Sequence, residues 1–358
     1  MTVEKLENCS NWDEELESFG GGIFLSSTWI TVISNNERKP VYLRFNEDNK
    51  PVGLIGGIEL PVKNGPSKQL FFYSGIASGS SDASSVRRCK TALYEYAQRC
   101  GYQRVSMRSY DDHSYLHARL RQFKERERIE YVYYLDRDNK QFYKCFDRDL
   151  RRRVRKAKRE GAVLRKSYSP GLIETLFALI NETYNLRQAK GYGKYNNLFL
   201  PFFSRDEIER LLRTRHACFF YMEKDGEIMS IQLVISQGKK AYSILMGTSM
   251  AGYGEAAPSF LFYELAMTLK DQGYTYLNIG GISRGNRQSG LKKFKDSLGA
   301  GIVKSAEQQT DFISPPLSYL NPFLELQRFV RDLQPVPGKI KMPFLFFIDL
   351  IVQKRDRY

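Results

Sequence analysis

Two stretches of this chain, 40–110 and 217–282, read as the same series of elements, and a chain that contains itself twice has few folds open to it. Each begins with an apolar strand, a polar turn around an aspartate (Asp48, Asp225) and a second apolar strand (52–60, 228–235). A third strand ends in small residues (70–76, 242–249). A helix follows (84–99, 258–271), then a Gly-Tyr break and a last short strand (104–108, 276–279). The breaks, Gly101-Tyr102 and Gly273-Tyr274, lie 172 residues apart and the turn aspartates 177, a drift that loop lengths absorb. Solenoid repeats recur every ~20–50 residues, so a spacing this long marks two copies of one domain. Strands that meander first and cross over through helices later predict a mixed α/β sheet in each copy.

A length of 358 residues with 42% apolar content allows two domains with separate cores. The boundaries read as 1–140 for the first domain and 141–161 for a connecting helix; the second domain takes 162–312, and 313–358 form a proline-broken tail. Residues 1–19 are acidic and lack the apolar core of a secretory signal, and no run reaches the ~20 apolar residues that span a bilayer. Five scattered cysteines (Cys9, Cys89, Cys100, Cys145, Cys218) without a CxxC pair predict free thiols in a reducing cytoplasm and no structural zinc. The histidines His113, His117 and His216 include two at i, i+4 but no third ligand, which predicts surface or capping roles. In the tail, 340–352 is mostly apolar between basic flanks. It reads either as a segment docked on the first domain or as a peripheral contact with anionic membrane at its inner face.

The formal net charge of +15 points to polyanionic partners, and it is concentrated. Between Lys144 and Lys166 eleven Lys/Arg face three acids. Leu150, Val154 and Ala157 recur there at helical spacing among Arg151, Arg152, Arg153, Arg155, Lys156, Lys158 and Arg159, and Gly161 closes the run as a cap. Two readings stand: a solvated linker helix, or a helix that contacts RNA or phosphate, with Arg151, Arg155 and Lys158 as candidates.

Only the second copy carries a dense cluster of special residues. Its last strand runs into Ile279-Gly280-Gly281-Ile282, a Ser/Arg/Gly/Asn-rich loop follows, and then Gly290-Leu291-Lys292-Lys293-Phe294-Lys295 opens a short helix over 289–297. Two glycines at a strand end admit another molecule to the backbone, and a lysine there can stabilise a developing oxyanion. Before the repeated strands lie a helix over 171–190, a Tyr/Gly-rich loop that holds Tyr192, and a helix over 205–213. No GxSxG, P-loop or paired-cysteine motif occurs.

These motifs resemble the FemABX aminoacyltransferases, tandem proteins of the GNAT acyltransferase fold. The resemblance rests on Gly-Gly-Ile followed by Gly-Leu-x-x-Phe-Lys, on the helix and strand before it (258–281), on the basic stretch 151–161, and on Thr183-x-x-x-Arg187. It implies two tandem GNAT-like domains with mixed central sheets, the second catalytic and the first on the acceptor side. It also implies transfer of an amino acid from aminoacyl-tRNA to an amine of a peptidoglycan-type cell-envelope precursor, with no metal or bound cofactor. Phe294 and Lys295 carry over as the catalytic pair. Arg187 carries over as a precursor-binding candidate. Tyr192 and the motif glycines Gly280, Gly281 and Gly290 are further substrate-binding candidates, as are Tyr110 and Asp111 on the equivalent strand end of the first copy. The long helical arm of the members that act on lipid-linked precursors has no counterpart here, which favours the armless FemX type.

A related branch uses acyl-CoA. Ordinary GNAT enzymes cradle the CoA pyrophosphate with Q/R-x-x-G-x-G/A before the central helix. The matching stretch here keeps Gly252 and Gly254, but Ser249 replaces the cation and Glu255 adds a negative charge. An acyl-CoA or carrier-thioester N-acyltransferase of polysaccharide or lipid assembly is therefore the first alternative. A non-catalytic module that binds RNA or anionic membrane is the second.

Overall fold

A computed structural model describes residues 1–7, 9–62, 67–79, 82–111, 118–191, 200–283 and 289–332. The chain forms two units. The first is Met1–Arg126 with the described residues from Glu307 onward; the second is Glu127–Ala306.

The first unit opens with β1 (Thr2–Lys5), α1 (Trp12–Ser18) and α2 (Ser27–Ile33), continues with β2 (Lys39–Glu47), β3 (Lys50–Pro61) and β4 (Lys68–Phe72), and closes its first pass with α3 (Ala83–Arg99) and β5 (Tyr102–Met107). The sheet order is β1-β2-β3-β4-β5; β4 and β5 are parallel, and their pairing reaches the ends of both strands at Phe72 and Met107. Strands β2 and β3 meet at Asp48-Asn49, both at positive φ (51° and 60°), the backbone of a two-residue hairpin whose twist matches the strands. Trp12, Phe45, Phe72 and Leu93 sit in its core.

The second unit begins on β6 (Phe123–Tyr134), which crosses the unit boundary. Then come α4 (Asn139–Cys145), α5 (Arg148–Arg159), β7 (Val163–Ser167), α6 (Leu172–Ala189) and α7 (Arg205–Arg213). The repeated elements follow as β8 (Ala217–Lys224), β9 (Glu227–Gln237), β10 (Lys240–Thr248), α8 (Met250–Gly254), α9 (Ala257–Asp271) and β11 (Tyr276–Ser283). The chain ends its described course with α10 (Ser289–Ser297), β12 (Gly301–Thr310) and α11 (Asn321–Asp332). Sheet order in the second unit is β6-β11-β10-β9-β8-β7. Its first hairpin turns at Asp225-Gly226, at φ 53° and 80°, and the β8–β9 register slips at Met222/Glu223 where β2–β3 slips at Phe45/Asn46. The repeat is thus reproduced down to the position of a bulge.

Two boundaries differ from the sequence reading. The basic helix is not a connector: Leu150, Val154 and Ala157 are buried in the second unit's core, and α5 packs on α9. Burial of Leu150 and Val154 contributes about 1.5–3 kcal/mol each, enough to fix which face the arginines present. The cut falls at Glu127 because β6 supplies Tyr131 and Tyr133 to that same core. The described part of the tail belongs to the first unit. Gln308 and Gln309 pair with Met107 and Ser106 of β5, Asp311 takes two hydrogen bonds from Arg328 (2.8 and 2.9 Å), and Lys124 bonds Glu325 (3.3 Å). The run 340–352 lies outside the described residues. No helix among the described residues is long and apolar enough to cross a membrane.

Candidate functional site

In the second unit β10 and β11 run parallel but pair only over Lys240–Tyr242 and Tyr276–Asn278. Just beyond, β10 slips register against β9 between Ser243 and Leu245, and β11 slips against β6 between Asn278 and Gly281. A bulge bends its strand, and two bulges at the same level on neighbouring strands part them. The corresponding strands of the first unit stay paired to their ends, so the opening belongs to the second copy, where the special residues cluster.

Gly280 sits at this opening with φ +82°, a backbone conformation that disfavours side chains. A Cβ there would lie 3.4 Å from Lys295 Nζ and 3.8 Å from Ser243 O. Lys295, on the last turn of α10, is buried. Its Nζ donates to two successive carbonyls of β11, Ile279 O (2.8 Å) and Gly280 O (2.7 Å), and lies 5.4 Å from the centroid of the Tyr131 ring. Burial, and after it the positive charge of Arg128, pulls the amine down to about 7, against an opposing pull from Glu130. The lysine and the two glycines of the sequence motif are therefore assembled as one constellation.

Behind the bulge lies a polar chain that the motif reading missed. Gly280 N–H donates to Asn278 Oδ1 (2.8 Å), Asn278 Nδ2 donates to Glu130 Oε2 (2.7 Å), and Arg128 Nε pairs with Glu130 Oε1 (3.3 Å). Glu130 is 1% exposed. A carboxylate that deep persists only with partners, and here the partners hold the bulge. Asn278 is two residues before Gly280, within reach of a motif search. Arg128 and Glu130 lie on β6, in a stretch so charged that it gives no strand signal.

The other candidates scatter. Phe294 is half-buried against Phe262 (6.0 Å between centroids), and its ring is spent on packing. Gly290 is exposed in the first turn of α10, and a Cβ on Gly281 would lie 2.6 Å from Ile129 O and 2.8 Å from Arg128 Nε. Arg187 is half-buried near the end of α6, whose Thr183 bonds the backbone of Thr248 on β10 in both directions. Tyr192, His113 and His117 lie outside the described residues. Tyr110 and Asp111 belong to the first unit. Tyr110 is buried against Phe24 and Tyr73, and Asp111 takes φ 57°. His216 Nδ1 lies 3.0 Å from Ser236 O.

On α5 the residues divide by environment. Arg151 stacks on Tyr143 (4.7 Å) and Lys158 pairs with Glu264 (2.7 Å), so both are engaged within the unit. Arg155 is exposed and has no ion pair among the described residues. With Arg148, Arg152 and Arg159 it falls on one side of the helix, one residue per turn.

The loop that matches the GNAT pyrophosphate cradle is already occupied. Met250 N–H donates to Glu182 Oε1 (2.6 Å) and Gly252 N–H to Ser249 Oγ (2.9 Å). A Cβ on Gly252 would meet Met229 O at 2.3 Å. Gly254 ends α8, followed by Glu255, which pairs with Lys224 (2.9 Å).

The GNAT acetyltransferase domain family matches residues 144–295, a span that lies within the second unit and ends on Lys295. The second unit has the GNAT fold. That domain makes the protein an acyltransferase, and the tandem sheets show the same architecture twice. The whole chain has the fold of FemX: a crystal structure of FemX superposes with TM-score 0.68 over 90% of this chain and 99% of that one, at 14% identity. L-PGS from Bacillus licheniformis matches with TM-score 0.52 over 83% and 91%, at 18% identity. The C-terminal domain of a putative lysylphosphatidylglycerol synthetase from Agrobacterium fabrum matches with TM-score 0.50 over 87% and 95%, at 16% identity. No curated protein matches the sequence.

Proposed function

We propose that this protein is a FemX-like aminoacyltransferase that takes an amino acid from aminoacyl-tRNA and forms an amide on an amine of a peptidoglycan-type precursor. The observation that carries the choice of donor is the carboxylate of Glu182 on the Met250 N–H. In an acyl-CoA enzyme of this fold those N–H groups meet the pyrophosphate; here a side-chain anion holds one of them, and a second anion would be repelled. A donor with its phosphates elsewhere suits this loop, and the exposed arginine row on α5 offers that elsewhere. Fold kinship with a lysylphosphatidylglycerol synthetase, whose name carries an aminoacyl group, supports the same chemistry. Lys295, beside the carbonyls of Ile279 and Gly280, takes the position next to the reacting carbonyl. Acylation of an amine needs little beyond positioning, a proton path and oxyanion stabilisation.

The acyl-CoA reading keeps one support, the match of 144–295 to an acetyltransferase family. Mass spectrometry separates the two. UDP-muramoyl-pentapeptide is incubated with the protein, mixed tRNA, amino acids, ATP and synthetases, with and without RNase, and in parallel with acetyl-CoA. The expected result is the mass gain of one amino acid that disappears with RNase and in Lys295→Ala. Transfer from acetyl-CoA instead, abolished in Gly252→Trp, would assign the protein to the other branch.

A further inference from the structure

Lys295 lacks what a buried ammonium ordinarily has. Both of its hydrogen bonds go to backbone carbonyls, and no carboxylate lies within ion-pair distance among the described residues. The carboxylate whose charge does reach it, Glu130, is committed to Asn278 and Arg128, and Arg128 adds a like charge to the surroundings. On its own helix Asp296 is bonded by Lys292 (2.7 Å) and by the Tyr131 hydroxyl (3.0 Å), so its charge is also answered. On the same level β10 and β11 present Ser243 and Asn278, which carry no charge.

An amine nitrogen has three positions besides its carbon. The two carbonyls take two hydrogens. The third position holds a third hydrogen if the group is charged and a lone pair if it is not. A charged group here would be buried without a counter-ion among the described residues and near the charge of Arg128, which is the arrangement that strips a proton from lysine.

We infer that Lys295, uncharged and with its lone pair turned away from Ile279 O and Gly280 O, is the base that accepts the proton of the attacking amine. Glu130, Asn278 and Gly280 are the positioning residues that hold those two carbonyls. The step rests on the aminoacyl-transfer reading, and its atoms and electrons balance. The amine nitrogen forms a bond to the ester carbonyl carbon, whose π electrons move to oxygen, and its proton passes to Lys295 Nζ. The ammonium so formed stands beside the oxyanion. When the carbonyl re-forms, the carbon–oxygen bond to the ribose breaks with its electron pair, and the ribose oxygen takes the proton back from Lys295. The products are an amide, a free ribose hydroxyl and an uncharged lysine. The amine's displacement to about 7 agrees with this role at neutral pH.

The test begins on the protein alone. With lysines labelled at 13Cε, the Lys295 resonance is assigned by its loss in Lys295→Arg and titrated by NMR. The expected midpoint is about 7, moving down in Glu130→Gln, which removes the charge that favours the protonated form. A midpoint near the ordinary value of about 10.4 overturns the inference. In the transfer assay, activity should rise through the same midpoint. Lys295→Arg should lose about 100-fold or more, since a guanidinium cannot accept a proton. Activity of Lys295→Arg within tenfold of the natural protein, with melting confirmed, would mean that the residue acts as a fixed cation and would sink the base. If the natural protein transfers nothing, the donor and acceptor proposed above fall, while the NMR midpoint still decides the state of the lysine.

Discussion

At the scale of the residue, Lys295 changes how the fold responds to pH. In the unfolded chain a lysine titrates near 10.4; in the second unit burial brings it to about 7. Between those values the unfolded chain holds a proton that the native state lacks, so this group makes native stability rise with pH across that window. Below about 7 both states are protonated and the burial penalty is fully present. Lys295→Met removes the titration. Its gain over the natural protein should be largest at pH 6–7 and shrink toward pH 10, by about 1.4 kcal/mol for each pH unit inside the window. Urea unfolding of the two proteins at pH 7 and pH 10 measures the difference, and a gap that ignores pH would mean the lysine titrates normally in the fold. Loss of activity together with gain of stability is what a residue kept for chemistry predicts.

At the scale of the element, α5 separates charge that serves the fold from charge that faces outward. Arg148, Arg152, Arg155 and Arg159 lie one turn apart on the exposed side, opposite Leu150, Val154 and Ala157. Changing all four to Ala should leave melting nearly unchanged, because exposed substitutions are usually within about 0.5 kcal/mol. The plot of log K for tRNA against log salt should flatten by about 0.7–0.9 for each phosphate no longer neutralised. Fluorescence anisotropy over a series of KCl concentrations reads that slope, and an unchanged slope places the tRNA on another surface. The element scale also shows what a sequence can reveal. Hairpins with Asp48-Asn49 and Asp225-Gly226 were legible because turn chemistry is local, and α7 and α10 were read to the residue. Strand β6 was not. Its run Lys124-Glu125-Arg126-Glu127-Arg128 has no apolar alternation; pairing with β11 makes a strand of it, Arg128 opposite Ser283 and Glu130 opposite Gly281. Those partners are distant in sequence, so half of the candidate site stayed out of view with the strand that carries it.

At the scale of the molecule, the two copies keep one topology and diverge at one place. Parallel strands remain paired to their ends in the first unit and part after three pairs in the second. That divergence was foreshadowed by Gly280-Gly281, whereas the return of the chain to the first unit was not derivable from periodicity. The return is well knit: Val105 N–H donates to Thr310 Oγ1 (3.0 Å), Ile313 N–H to Gln103 O (2.9 Å), and Arg104 covers the Phe312 ring (4.4 Å). The only two tryptophans, Trp12 and Trp29, are both buried in the first unit. A chain stopped after Ala306 should therefore show red-shifted tryptophan emission while far-UV circular dichroism keeps the signal of the second unit. Native-like emission from the shortened chain would show that the first unit closes without its last segment.

That arrangement sets an order in time. On the ribosome residues emerge from the N-terminus onward, and a domain closes when its last segment has left the tunnel. The first unit begins at Met1 but waits for residues beyond Glu307, whereas the second has all its parts once Ala306 is out. The half that carries Lys295 is thus an insert, and in a nascent chain all of its residues are out before the last segment of the half that precedes it.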